Sequence, residues 1–404
     1  MTGFTRWQKV LGVVKAGTID SSAKRVVRGA PGHRLQCLSV VLLLATTAIA
    51  GQWKPHEVRQ INGTAGDVRL PAQFQIVTES WNRVVAVPYL AYMPEKNRLL
   101  MLVSCDYPHH AEVLFSDDRG ASWSSPKPAI VRADGKPVAG LGTSLCYLGE
   151  GNVLLYAGEG NDGSARWFSR DYGQTWKESV PLGPASDGKP WYIWDPPLVE
   201  RVAKTGKITR LMETGYTWFK PPEVKTAHQQ AYLRFSTDEG KSWSPSTKIP
   251  QWQAVSEVTL LRAANGHLVA ACRTDTPARM QPEIIDHTEG LGVSISTDDG
   301  RTWSEVRKLY DWGRHHPSLI LLPKGDIVMT YVVRKGYVNT PDGSILTAFG
   351  TGYRCQDIVK GQPAPRDVGL VRWRLNSGRV NAETKLRDAQ FDSDLRNVYN
   401  PARK

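Results

Sequence analysis

From Val87 onward, short apolar runs alternate with polar turns in one recurring order: apolar strand, tight turn, apolar strand, loop, and a third strand that ends in Ser. In a first unit the runs are Val87–Met93, Leu99–Ser104 and Ala111–Ser116. A second has Ser144–Leu148, Val153–Gly158 and Ala165–Ser169, and a third has Pro196–Val202, Ile208–Thr214 and Ala231–Ser236. The fourth has Glu257–Ala263, Leu268–Arg273 and Gly292–Ser296. A fifth would use Pro317–Leu322, Ile327–Arg334 and Gly369–Leu375. Hairpin-forming residues join first and second strands at Pro94–Asn97, Lys204–Lys207 and Ala264–His267.

Each of the first four units ends in the octapeptide Ser-x-Asp-x-Gly-x-x-Trp, beginning at Ser116, Ser169, Ser236 and Ser296, so that successive copies lie 53, 67 and 60 residues apart. The Asp (118, 171, 238, 298) can accept backbone N–H bonds and hold a tight turn. The Gly (120, 173, 240, 300) supplies a conformation costly to other residues. The Trp (123, 176, 243, 303) is sized to bury its ring between neighbouring units. Four-stranded units on this scale predict an all-β propeller. Six blades are expected, the last drawn from residues 51–85 and the C-terminal tail, so that 51–404 is a single domain.

Charge adds little to this picture. The formal net charge is +12, yet residues 1–50 hold seven Lys/Arg against one Asp, and the remaining excess is scattered among strands and turns. That distribution argues for solubility and an anionic ligand, not nucleic acid. Residues 1–50 read as a basic leader and signal peptide: the apolar run Leu38–Ile49 closes on Ala48-Ile49-Ala50, a pattern accepted by signal peptidases. The run is too short to span a bilayer. A secreted or periplasmic monomer without membrane attachment is expected. Past the leader, Cys105, Cys146, Cys272 and Cys355 could pair in three ways or remain buried thiols.

The repeated octapeptide is the Asp-box (BNR repeat), and residues 80–390 resemble the sialidase (neuraminidase) superfamily of β-propellers. The resemblance implies that the boxes are structural and that chemistry sits on the opposite face, where first strands begin and second strands hand over to third. On that face Glu257 opens a strand and Arg273 ends the next. By resemblance Glu257 polarises a catalytic Tyr or acts as base, and Arg273 grips a substrate carboxylate through paired N–H donors. Arg334 stands similarly in the fifth unit, and Tyr337 and Tyr353 follow it as candidate phenols. The plainer alternative for Glu257 and Arg273 is an ion pair at a strand end.

The first unit departs from the family. Where sialidases carry Phe/Tyr-Arg-Ile-Pro this chain has Val85-Ala86-Val87-Pro88, and Arg83 lies three residues early. Where the family has its acid/base Asp the chain has Asp106-Tyr107-Pro108-His109-His110. Asp106 or His110 could supply a proton, with His109, His316 and Asp195 as further substrate contacts; histidine suits acid/base work near neutral pH. Solvated loop or packing residues are the alternative for each. Cys105, His109 and His110 lack the spacing of zinc motifs, and no Gly-rich segment precedes a helix, so neither metal nor other cofactor is expected. The leading expectation is a glycosidase of exo-alpha-sialidase type acting on an acidic oligo- or polysaccharide. The alternatives are a polysaccharide lyase with a His base on uronic-acid polymers and a non-catalytic glycan- or protein-binding propeller.

Overall fold

A computed structural model describes residues 52–61, 67–81, 83–106, 108–158, 164–219, 228–275, 289–310, 316–331, 337–339, 343–350 and 368–374. The leader and cleavage motif, Arg334, His315, Tyr107, Tyr353 and Cys355 lie outside the described residues. The described chain is built from antiparallel strands. It opens with β1 (Lys54–Ile61) and β2 (Asp67–Ile76). A first four-stranded sheet follows from β3 (Val85–Met93), β4 (Arg98–Cys105), β5 (His110–Ser116) and β6 (Lys127–Pro128). The second contains β7 (Gly142–Gly149), β8 (Asn152–Ala157), β9 (Ala165–Ser169) and β10 (Glu178–Pro181). The third contains β11 (Leu198–Arg201), β12 (Ile208–Phe219), β13 (His228–Ser236) and β14 (Thr247–Gln253). The fourth contains β15 (Val255–Arg262), β16 (Leu268–Thr274), β17 (Gly290–Ser296) and β18 (Arg307–Tyr310).

A two-stranded hairpin comes next, β19 (Ser318–Leu321) with β20 (Ile327–Thr330). The last sheet joins β21 (Tyr337–Asn339), β22 (Ile345–Gly350) and β23 (Val368–Trp373) to the N-terminal pair, in the order β1-β2-β23-β22-β21. Residues 54–76 thus close the ring by pairing with Val368–Trp373, whereas the C-terminal tail expected to complete that sheet lies outside the described residues. The fifth unit is corrected: Gly369–Trp373 pairs with β2 and β22, not with β20. The ring therefore has five sheets of four or five strands, with the β19–β20 hairpin between the fourth and the last. A six-blade count requires that hairpin to form a blade of its own.

Apolar faces of successive sheets meet and hold the ring. Leu100, Leu102 and Val113 of the first sheet pack with Leu145, Val153 and Leu155 of the second. Leu154, Tyr156 and Phe168 pack with Leu211 and Tyr232 of the third. Met212 and Leu233 meet Val258 and Leu268 of the fourth, and Leu261 and Ala271 meet Leu319. Met101, Val103 and Leu114 meet Leu346 and Leu370 of the closing sheet.

All four octapeptides join a third strand to a fourth, and their bonding repeats. The Ser Oγ accepts the Gly N–H at 2.7, 2.9, 2.8 and 2.8 Å. The Asp Oδ1 accepts the N–H four residues on at 2.8, 2.8, 2.9 and 2.9 Å. The glycines have φ of 84°, 82°, 89° and 86°. Trp123, Trp176 and Trp303 are buried in clusters shared by two sheets, and Trp243 packs partly buried on a fourth. An indole burying about 200 Å² contributes on the order of 5 kcal/mol, against about 1 kcal/mol for one turn hydrogen bond. The Trp therefore ties the turn to the neighbouring sheet, while the Asp shapes the turn.

Cys105, Cys146 and Cys272 are buried and unpaired thiols inside strands. Burial pushes Cys146 and Cys272 up to about 12, which keeps them protonated and unreactive. No helix among the described residues is long and apolar enough to cross a membrane.

Candidate functional site

The fourth sheet positions its charged residues through a bulge. Ser256 pairs with Arg273 and Val258 with Cys272, so Glu257 is the extra residue between them. Its φ is 43°, and that of His316, just ahead of β19, is 52°. Left-handed backbone at a residue other than glycine costs about 1–3 kcal/mol and persists only where the surroundings impose it. Both residues are buried, at 5% and 2% exposure.

The two side chains meet on Arg273. Arg273 Nη1 donates to Glu257 Oε1 at 2.8 Å and to His316 Nε2 at 3.1 Å. Arg273 Nη2 is paired with Glu289, the residue ahead of β17, and His316 Nδ1 is paired with Glu257 Oε2. With Nε2 accepting from Arg273, the imidazole proton lies on Nδ1 and is donated to Glu257. One guanidinium, two carboxylates and one imidazole thus meet in a buried group. Arg273 bridges the two glutamates, and His316 fixes the orientation of Glu257.

A second group lies in the first sheet. Arg83 donates to Asp106 at 2.7 Å and to Glu112 at 2.6 Å, and His110 Nε2 donates to Glu112 Oε1 at 2.8 Å. Hydrogen bonding from Arg83 holds the Asp106 carboxyl below the usual carboxylate range. For Glu112 burial pushes upward, but the bonds from Arg83 and His110 outweigh it and the net shift is downward. Asp106, immediately after β4, also has left-handed backbone, with φ 57°. His109 lies in the turn before β5, where its carbonyl accepts the Gly140 N–H at 2.6 Å.

Of the residues singled out from the sequence, Glu257, Arg273 and His316 are therefore bonded together, and Asp106 and His110 belong to the Arg83–Glu112 group. Asp195 is buried at 2% exposure in the segment entering β11. Sequence reading missed Glu289, Arg83 as a site member, and Glu112. It also missed a His–Asp pair: His228 Nδ1 bonds Asp275 Oδ2 at 2.5 Å where β13 begins and β16 ends. Burial pushes the Asp275 carboxyl up, only partly offset by His228. The available signal was position alone, since all five residues stand at strand ends or within a few residues of one.

Between the second and third sheets the same face holds a cavity of about 190 Å³, lined by Tyr156, Ser164, Tyr192, Trp194, Tyr216 and Trp218 among others. Tyr192 and Tyr216 stack at 5.6 Å between centroids, and Trp218 meets Tyr216 edge-on at 6.2 Å. Tyr89 OH donates to Trp194 O at 2.8 Å and so ties this segment to the first sheet.

Comparison with known proteins places the fold. No family model matches the chain, and no curated protein matches it. Among solved structures it is similar to a protein of unknown function from Dyadobacter fermentans, with TM-score 0.57 and 14% identity over 75% of this chain and 98% of that one. It is similar to the intramolecular trans-sialidase from Ruminococcus gnavus, with TM-score 0.53 and 12% identity over 74% and 96%. It is also similar to the NanB sialidase from Streptococcus pneumoniae, with TM-score 0.52 and 13% identity over 73% and 69%. At these identities the likeness establishes the fold, a β-propeller of the kind that sialidases use.

Proposed function

We propose that the protein is an exported glycoside hydrolase acting on an acidic glycan at the face where the inner strands begin. The observation that carries this reading is the buried Glu257–Arg273–His316–Glu289 group, in which both Glu257 and His316 are held in strained backbone. Strain of this kind concentrates at active sites. On this reading Glu257 serves as base or polarises a tyrosine hydroxyl, and His110 or Asp106 delivers the proton. Arg273 and Arg334 meet the substrate carboxylate, with Asp195 and His109 as further contacts. The leader motif Ala48-Ile49-Ala50 supports export.

One observation favours a second reading. Both terminal nitrogens of Arg273 are engaged by protein carboxylates, and the first-sheet position that carries arginine in sialidases is Ala86. A propeller that binds glycan without cleaving it would tolerate both. Incubation of the purified protein with sialosides and uronic-acid polysaccharides separates the readings: sugar release from any of them supports hydrolysis. Retention of a glycan on the protein with no turnover across the panel supports the binding module instead.

A further inference from the structure

The aromatic cavity between the second and third sheets contains none of the charged residues described above. Among the described residues that line it, none is a carboxylate, lysine, arginine or histidine. A carboxylate-bearing sugar would find no counter-charge among these described residues. Large aromatic faces lead the lining instead, and they suit the C–H face of a ring while leaving its hydroxyls at the edges. Trp218 is 43% exposed although it lies within β12, where a side chain of that size ordinarily finds cover.

A polar group is also built into the lining. The Ser164 hydroxyl is buried, lines the cavity, and has no hydrogen-bond partner. An orphaned buried hydroxyl costs about 1–3 kcal/mol, which a ligand hydroxyl would recover. Gly158 keeps this spot open, because a Cβ there would lie 2.5 Å from Ser164 Oγ. The volume of about 190 Å³ is below the roughly 300–1,000 Å³ of sites for drug-sized ligands, so it fits one ring and not a chain.

We propose that this cavity binds one uncharged pyranose ring, stacked on Trp218 and hydrogen-bonded to Ser164. The inference deepens the proposed function: the glycan carries a neutral sugar near its acidic one, and the two are read by separate parts of the face. The charged groups read the acidic unit, and this cavity reads the neutral neighbour.

Titration with neutral methyl pyranosides (gluco, galacto and manno, both anomers), followed by tryptophan fluorescence and saturation-transfer NMR, tests this without requiring turnover. At least one glycoside is expected to bind. Trp218→Ala should weaken that glycoside by about tenfold or more, while Trp218→Phe, which keeps an aromatic face, retains most of the affinity. Ser164→Ala should weaken binding of the same glycoside. The Glu257→Gln protein should bind it as the wild type does, so the inference stands or falls apart from the hydrolase reading. Lack of binding by all six glycosides, binding indifferent to Trp218→Ala in a folded protein, or equal competition by free glucuronic acid would each overturn it.

Discussion

At Arg166 and Glu213 two full charges lie in the interior, at 1% and 0% exposure, joined by Arg166 Nε and Nη2 at 2.7 and 2.6 Å. Tyr156 OH adds a third bond to the same carboxylate at 2.7 Å. Removing one partner strands the other without water. Arg166→Leu should therefore destabilise the fold by about 3–5 kcal/mol, read as a lower midpoint in urea unfolding, whereas a surface pair such as Arg69–Glu57 should change it by less than about 1 kcal/mol. The same reasoning shows what could be read at single positions. Glu257 and Arg273 could be placed near strand ends from the apolar pattern, although β15 begins two residues before Glu257, which is its bulge residue and not its first. Glu112 was not, because it alternates with Val113 inside β5 and looks like an outward-facing residue until Arg83, 29 positions earlier, is brought against it. The left-handed backbone at Glu257, His316 and Asp106 was equally invisible, since none is a residue type that announces it.

The octapeptide turns were the most legible elements because their bonds are local, spanning two to four residues. Their Asp residues also carry a pH signature. Bonds from the Thr302 hydroxyl and N–H hold Asp298 down at about 2, against an ordinary 3.8. A folded value below the unfolded one gives stability that is present above pH ~4 and lost as pH falls toward 2. The melting temperature should accordingly fall across that window, and Asp298→Asn should be less stable at pH 6 yet show a shallower acid decline. An acid decline as steep in Asp298→Asn as in the wild type would contradict the assignment. Fourth strands were not legible: β6 has two residues, and β10 is largely exposed and carries no apolar alternation. The long reach of β12 to Phe219 was also missed, because Gly215 looked like a strand terminus. That glycine is instead a packing site where Trp191 lies against the backbone; a Cβ would sit 2.4 Å from the indole.

Across the whole molecule, the ring is closed by a contact that no local pattern encodes. Phe74 pairs with Val371 and Ile76 with Gly369, nearly 300 residues apart in sequence. The apolar alternation of β23 is the same whichever sheet receives it, so sequence order placed it in the fifth unit and three-dimensional pairing placed it in the last. The propeller was legible from repeats; its closure required the structure. The proposed function places chemistry on one face of the ring, and the account turns on whether the buried Glu257 group does chemistry there or merely packs. The most direct measurement compares sugar release by the wild type and by Glu257→Gln on an acidic glycoside, with melting temperatures recorded for both. Glutamine keeps the shape and the bond from Arg273 but cannot take a proton, so kcat should drop by about 100-fold or more while the melting temperature moves by only a few degrees. Undiminished turnover in a folded Glu257→Gln protein would contradict the account.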